Sequence, residues 1–276
     1  MSEISLADFK VIIFDCYGTL ADWESGISTA LQPLLARFPS SATWTRKEAL
    51  LAFTEVEKDL ERKDPGLLYC DLLTKAHEVL AEGLRDNDAS ASADLTAEEH
   101  RAFGASIKDW PIFPDTCDAL RVLEKHYKLV ILSNVDRASF AHTHAKLSQD
   151  TDLVTYAVPV PNPNAHWLPQ TTANSRSPFS LILTAQDTGA YKPDPRGMLS
   201  ALEIIQNEFG VGKDQVLVVA QSLYHDVEPS SKLGVSSVWI DRQGASMGLE
   251  TLSEAPKWFK RFETLGEMAA AVKAGA

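Results

Sequence analysis

The chain has 276 residues, 45% hydrophobic, 8% aromatic and 23% charged, a composition that supports a sizeable globular core without disulfides or a structural metal. Its 26 Lys and Arg against 38 Asp and Glu leave a formal net charge of −12, which opposes binding to nucleic acid and to anionic membranes. No apolar run approaches the ~20 residues of a membrane span, the first residues lack a signal-peptide pattern, and Cys16, Cys70 and Cys117 form no C-x-x-C pair of the kind that holds zinc. A reducing, cytoplasmic setting is the expectation.

Phe9 to Phe14 (F-K-V-I-I-F) is a short apolar, β-branched run that stops at Asp15-Cys16-Tyr17-Gly18-Thr19-Leu20, where Gly18 permits a sharp turn; it reads as a buried strand and a loop. From 22 to 108 the pattern becomes helical and contains no convincing strand. Leu50, Leu51, Phe53, Val56 and Leu60 share one helix face, and Tyr69, Leu72, Leu73, Ala76, Val79 and Leu80 another, with Pro65-Gly66 between them. Residues 88–93 form a small polar loop, and Glu98 and Glu99 suit the first turn of a further helix. Trp23 and Glu24 are read as loop residues leading into this region. The segment Trp110 to Pro114 brings the chain back.

Beyond it, helical stretches (Asp115 to His126, Arg137 to Leu147, Pro195 to Phe209, Glu228 to Leu233) alternate with apolar runs (Leu129 to Leu132, Leu181 to Thr184, Val216 to Ala220, Val238 to Ile240). Such alternation predicts an α/β core with a Rossmann-like, doubly wound parallel sheet, formed by 1–21 and 109–276, carrying an inserted all-helical domain of 22–108. The proline-rich stretch from Ser148 to Pro178 reads as a long loop at the N-terminal edge of the strands, covering the core or meeting a partner. His142 and His144, on one predicted helix, are expected at the surface.

Chemistry gathers at the strand ends. Asp15 follows the first strand, Ser133 and Asn134 the second, Lys192 the third after a short loop, and Asp226 the fourth. Each alone is ordinary: a turn aspartate, a capping serine, a solvated lysine, a helix-start acid. Together, a carboxylate, a hydroxyl, an ammonium and a second carboxylate at the ligand-binding edge of one sheet are the parts of nucleophilic catalysis by aspartate.

The motifs D-C-Y-G-T-L (Asp15 to Leu20), L-S-N (Leu132 to Asn134), Y-K-P-D (Tyr191 to Asp194) and the segment ending at Asp226 resemble those of the haloacid dehalogenase-like hydrolase superfamily, and the helical insertion resembles its cap domain. The superfamily's phosphatases carry a second Asp two residues after the nucleophile and a Gly-Asp pair that helps bind magnesium. Here those places hold Tyr17 and Ala220-Gln221, leaving only Asp15, the Tyr17 carbonyl and Asp226 to hold magnesium weakly.

The pattern D-x-Y-G-T-L is instead similar to that of the L-2-haloacid dehalogenases. The resemblance implies metal-independent attack of Asp15 on the C2 of a small 2-halocarboxylate, halide release, and hydrolysis of the aspartyl ester. Lys192 and Thr19 would orient Asp15, and Asp226 would position or deprotonate water. Ser133 and the backbone at Tyr17 would hold the substrate carboxylate, while Arg46 with Asn134 would cradle the halide, Arg37 and Arg62 being the other arginines available. His225 would either carry a proton or pack at a helix start. The chain departs from the dehalogenase pattern at Gln221, Leu223 and Met198. No cofactor, nucleic acid or membrane partner is implied, and a homodimer fits the resemblance. A magnesium-dependent phosphomonoesterase and a vestigial interaction protein are the competing readings.

Overall fold

The computed structural model describes residues 4–88, 95–149, 166–171, 174–242 and 257–275. All but the first residue of the polar loop expected at 88–93 and most of the proline-rich stretch of 148–178 lie outside them. The chain divides into two compact units, Met1–Ala21 with Ile112–Ala276, and Asp22–Pro111. The second unit runs to Pro111 rather than to 108.

In chain order, the first unit begins with β1 (Val11–Phe14). The inserted unit holds α1 (Trp23–Leu35), α2 (Arg46–Lys63), α3 (Tyr69–Asn87) and α4 (Ala97–Gly104). The chain then returns through α5 (Thr116–Leu123), β2 (Lys128–Ser133), α6 (Arg137–Ser148), β3 (Phe179–Thr184), α7 (Ala185–Thr188), α8 (Pro195–Phe209), β4 (Val216–Ala220), α9 (Glu228–Lys232), β5 (Ser236–Ile240), β6 (Lys260–Phe262) and α10 (Leu265–Lys273).

The six strands form one parallel sheet in the order β3-β2-β1-β4-β5-β6. The strand order reverses at β1, so the crevice for a ligand lies at the carboxyl ends of β1 and its neighbours. Parallel strands with helices on both faces must be apolar on both faces, and every residue of β1, β3 and β4 is buried. Alternate side chains pack two ways. Val11, Ile13, Val130, Leu132, Val216 and Val218 meet Met198, Ala201, Ile204 and Ile205 of α8, whereas Ile12, Phe14, Ile131 and Val219, also fully buried, face the opposite side.

Three expectations need correction. β6 was absent from the strands read in the sequence; K-R-F is short, half exposed and without the apolar run that marks a buried strand. Trp23 and Glu24 open α1 rather than a loop, because Asp22 accepts a hydrogen bond from the Ser25 backbone and caps the helix. Leu51 and Val79, placed on inward helix faces by spacing, are exposed. Within the inserted unit, α2 and α4 both start with the capping box that their sequences suggest, Thr45 with Glu48 and Thr96 with Glu99.

Candidate active site

β1 delivers Asp15 at its carboxyl end, and the following turn is closed by Gly18, whose φ of 101° a side chain would resist. The turn is tied back on itself, with the Thr19, Leu20 and Ala21 amides all donating to the Cys16 carbonyl. This brings the Thr19 hydroxyl onto Asp15 Oδ2 at 2.7 Å, while the Gln221 amide from the end of β4 donates to Thr19 Oγ1 at 2.8 Å. Thr19 therefore has no freedom to turn its proton elsewhere; its one O–H is committed to the carboxylate.

Lys192 enters from the loop after β3. Its ammonium donates to Asp15 Oδ1 at 2.8 Å, to Asp226 Oδ1 at 2.8 Å and to the Leu132 carbonyl at 3.0 Å. All three groups are buried. Burial alone disfavours the ammonium, but the two carboxylates outweigh it and hold the Lys192 pKa above the ordinary lysine value. Burial pushes the Asp226 carboxyl up to about 7; Lys192 opposes the rise and Asp15 adds to it. Asp226 is thus a carboxyl that gains and loses its proton near neutrality, the property a general base needs.

Two buried polar atoms in this cluster have no hydrogen-bond partner among the described residues, Ser133 Oγ and Asp226 Oδ2. Buried polar atoms are nearly always paired, so both retain hydrogen-bonding capacity. The Tyr17 hydroxyl pairs with Thr143 Oγ1 at 2.8 Å, and burial pushes its pKa well above the usual phenol value, so it holds its proton too tightly to stand in for a carboxylic acid.

Asn134 bonds the backbone of Lys192. Its amide donates to the Lys192 carbonyl at 3.0 Å and its oxygen accepts the Lys192 N–H at 2.7 Å, so it holds the backbone that carries the ammonium. His225 sits at a helix start, with Nδ1 3.1 Å from Ser222 Oγ and its ring beside Tyr224. In the inserted unit, Arg46 at the start of α2 contacts Ser25 Oγ at 3.2 Å and lies 3.7 Å from Asp22 and 3.6 Å from Glu24. Its charge is already matched there. Arg37 pairs with Glu99 and Arg62 with Asp59.

A family model described as haloacid dehalogenase-like hydrolase matches residues 9–229. The chain belongs to that family. Among solved structures, it is similar to the L-2-haloacid dehalogenase of Xanthobacter autotrophicus with chloropropionic acid covalently bound, at TM-score 0.67 and 15% identity over 97% of this chain and 100% of that one. A defluorinating L-2-haloacid dehalogenase matches at TM-score 0.62 and 17% identity, over 96% of this chain and 95% of that one. YfnB of Bacillus subtilis bound to magnesium matches at 0.60 and 14%, over 95% and 97%. These identities speak for a shared fold. A phosphoserine phosphatase of Thermus thermophilus is 38% identical over 64 residues, 23% of this chain and 24% of that protein.

In this haloacid dehalogenase-like hydrolase the donors do not fit a resident divalent cation. Gln221 is neutral, Lys192 takes one oxygen of both Asp15 and Asp226, and among the described residues no three His, Cys, Asp or Glu side chains are grouped to hold a metal. Nor is any helix of the described residues long and apolar enough to cross a membrane.

Two side chains escaped the sequence reading. His144, expected at the surface, is buried, with Nε2 2.8 Å from Ser177 Oγ and its ring edge-on to Trp167. Arg242, two residues past β5, is buried with its guanidinium on the Thr19 carbonyl. A charged residue just past an apolar strand end is the same signal that marked Asp15, and it was present there too.

Proposed function

We propose that this hydrolase acts through an aspartyl ester on a small 2-halocarboxylic acid, without a metal. The observation that carries the reading is the position of Lys192 between Asp15 and Asp226, with Tyr17 where an acid would have to stand to protonate an alcohol leaving group. Halide needs no proton to depart; an alkoxide does. A site without an acid at residue 17 is therefore suited to a first step that expels an anion stable on its own.

In the first step an Asp15 oxygen bonds to C2 of the substrate, and the carbon–halogen bond breaks with its electron pair leaving on the halide. Lys192 and Thr19 hold the carboxylate rigid for this displacement. In the second step water adds to the ester carbonyl carbon, giving its proton to Asp226. The Lys192 ammonium and the Thr19 hydroxyl, both already on the Asp15 oxygens, stabilise the charge that develops there. Collapse of the tetrahedral intermediate breaks the bond between that carbonyl carbon and the ester oxygen as Asp226 passes its proton to that oxygen, so a 2-hydroxy acid leaves, and Asp15 returns to the carboxylate by losing its acid proton to solvent. Ser133 Oγ, buried and free, is the donor for the substrate carboxylate. Arg46 would meet a halide only by sharing its charge with Asp22 and Glu24.

The test is halide release from each enantiomer of 2-chloropropionate in EDTA, wild type against Asp15→Asn. Release from one enantiomer that disappears in the variant supports the reading; no release from either removes it. The partial match to a phosphoserine phosphatase favours a second reading, a magnesium-dependent phosphomonoesterase, whose mark would be phosphate-ester turnover that EDTA abolishes.

A further inference from the structure

Arg242 is a charged side chain that is only 6% exposed, and no step of the proposed reaction uses it. Burying a guanidinium is costly unless every face of it is satisfied, so its partners indicate why it is there. Nη2 donates to the Thr19 carbonyl at 2.8 Å and Nε to the same oxygen at 3.3 Å. Nη1 donates to Asp115 Oδ1 at 2.6 Å, and the guanidinium face lies 4.1 Å from the centroid of the Phe113 ring. Asp115 is itself held at its other oxygen by the Gly266 amide at the start of α10.

These partners belong to two chain segments that run side by side. Thr19 to Ala21 leaves the nucleophile turn, and Ile112 to Asp115 returns. They are joined by an antiparallel bridge between Ala21 and Ile112 and by two donations onto the Leu20 carbonyl, from the Phe113 amide at 3.1 Å and the Thr116 hydroxyl at 2.9 Å. The carbonyl one residue earlier, that of Thr19, receives the Arg242 fork. The residue whose backbone it grips is the one whose hydroxyl sits on Asp15 Oδ2.

We propose that Arg242 is the positioning residue of the nucleophile turn: by holding the Thr19 carbonyl against the returning segment, it keeps the Thr19 hydroxyl on Asp15. β5 serves the site a second time through Trp239, whose indole N–H donates to the Gln221 carbonyl at 3.0 Å, on the same residue whose amide meets Thr19 Oγ1. Lysine cannot replace the device. An ammonium on Asp115 retains the charge, but it lacks the planar fork that spans carbonyl and carboxylate while stacking on a ring. The proposal rests on Asp15 being the reacting carboxylate.

The test uses Arg242→Lys and Arg242→Met in the full chain, with two readouts. Amide hydrogen exchange reports on the turn without any substrate, and halide release gives kcat and KM separately. Arg242→Lys should keep the wild-type melting temperature, while the peptide containing Thr19 to Ala21 exchanges at least ~10-fold faster and strands β1 and β4 stay protected. Its kcat should fall roughly 10-fold to 100-fold with little change in KM, the effect of a displaced reacting group rather than of weakened binding. Wild-type exchange in that peptide and wild-type kcat in Arg242→Lys would overturn the proposal. So would a uniform rise in exchange over the whole sheet with a lowered melting temperature, which is the mark of a purely structural residue. If wild type itself releases no halide, the haloacid reading fails and the exchange result alone decides on Arg242.

Discussion

Replacing Lys192 by methionine removes the charge that two buried carboxylates share and tests the electrostatic account of the site. Lys192 donates at 2.8 Å to both Asp15 and Asp226 and at 3.0 Å to the Leu132 carbonyl. Methionine fills much of the volume and answers none of the three. Breaking a buried ion pair on one side costs about 3–5 kcal/mol, and that cost should depend on pH in a definite direction. In the wild type the folded Asp226 carboxyl is raised from 3.8 to about 7. It binds its proton more tightly folded than unfolded, so its contribution to stability is complete below the unfolded value and disappears as pH rises through about 7. Lys192 opposes that rise. Without it the carboxyl moves further up, and the loss of stability continues to higher pH by as much as about 1.4 kcal/mol per pH unit for each extra proton retained. Urea unfolding of wild type and Lys192→Met at about pH 5 and about pH 8 should therefore show the variant less stable at both, because the pair with Asp15 is lost throughout, with the gap wider by about 1.4 kcal/mol at the alkaline end. A difference below about 1 kcal/mol at both, or one that does not change with pH, would refute the reasoning.

Three further outcomes follow from the geometry. Thr19→Val strips Asp15 Oδ2 of its donor and leaves the Gln221 amide buried and unpaired; it should cost about 1–3 kcal/mol in urea unfolding and lower kcat, and an unchanged kcat would show that Thr19 does not orient the nucleophile. Asp226→Asn should let the first halide depart while the ester accumulates on Asp15, visible by intact mass, and the wild-type rate of ester hydrolysis should climb with pH through about 7; a flat profile would remove Asp226 as the base. Burial lowers the His77 imidazole to about 4, helped by His100, and burial lowers His144 to about 4. Both bind protons more weakly folded than unfolded. Their contributions are complete above the ordinary value of 6.5 and are lost as pH falls towards about 4, so melting should drop across that window. Proton NMR showing either ring charged at about pH 5.5 in the folded protein would contradict this.

The α/β core was legible because its strands are buried on both faces and each ends in a polar group, so that apolar runs and site residues punctuate each other. Asp15, Thr19, Ser133, Lys192 and Asp226 do converge. What escaped depends on partners remote in the chain. The amide of Asn134 closes on the backbone of Lys192, a pairing that local sequence cannot reveal. His144 lies on a helix with little periodic contrast, R-A-S-F-A-H-T-H-A-K-L-S, and Trp167 and Ser177, which cover it, arrive later in the chain. The strand β6 pairs with β5 although its own side chains, K-R-F, give no apolar run. Arg242 carried a signal that was there to be read, a charged residue two places after V-W-I.

The central claim is that oxygen reaches the product by way of Asp15. A single turnover of 2-chloropropionate by excess enzyme, in water carrying a heavy oxygen isotope, separates the two routes by mass spectrometry of product and of the Asp15 peptide. The account predicts a first product free of label and label in the Asp15 carboxylate. Labelled product from that first turnover, with Asp15 unlabelled, would mean that water attacks the substrate directly and would contradict it.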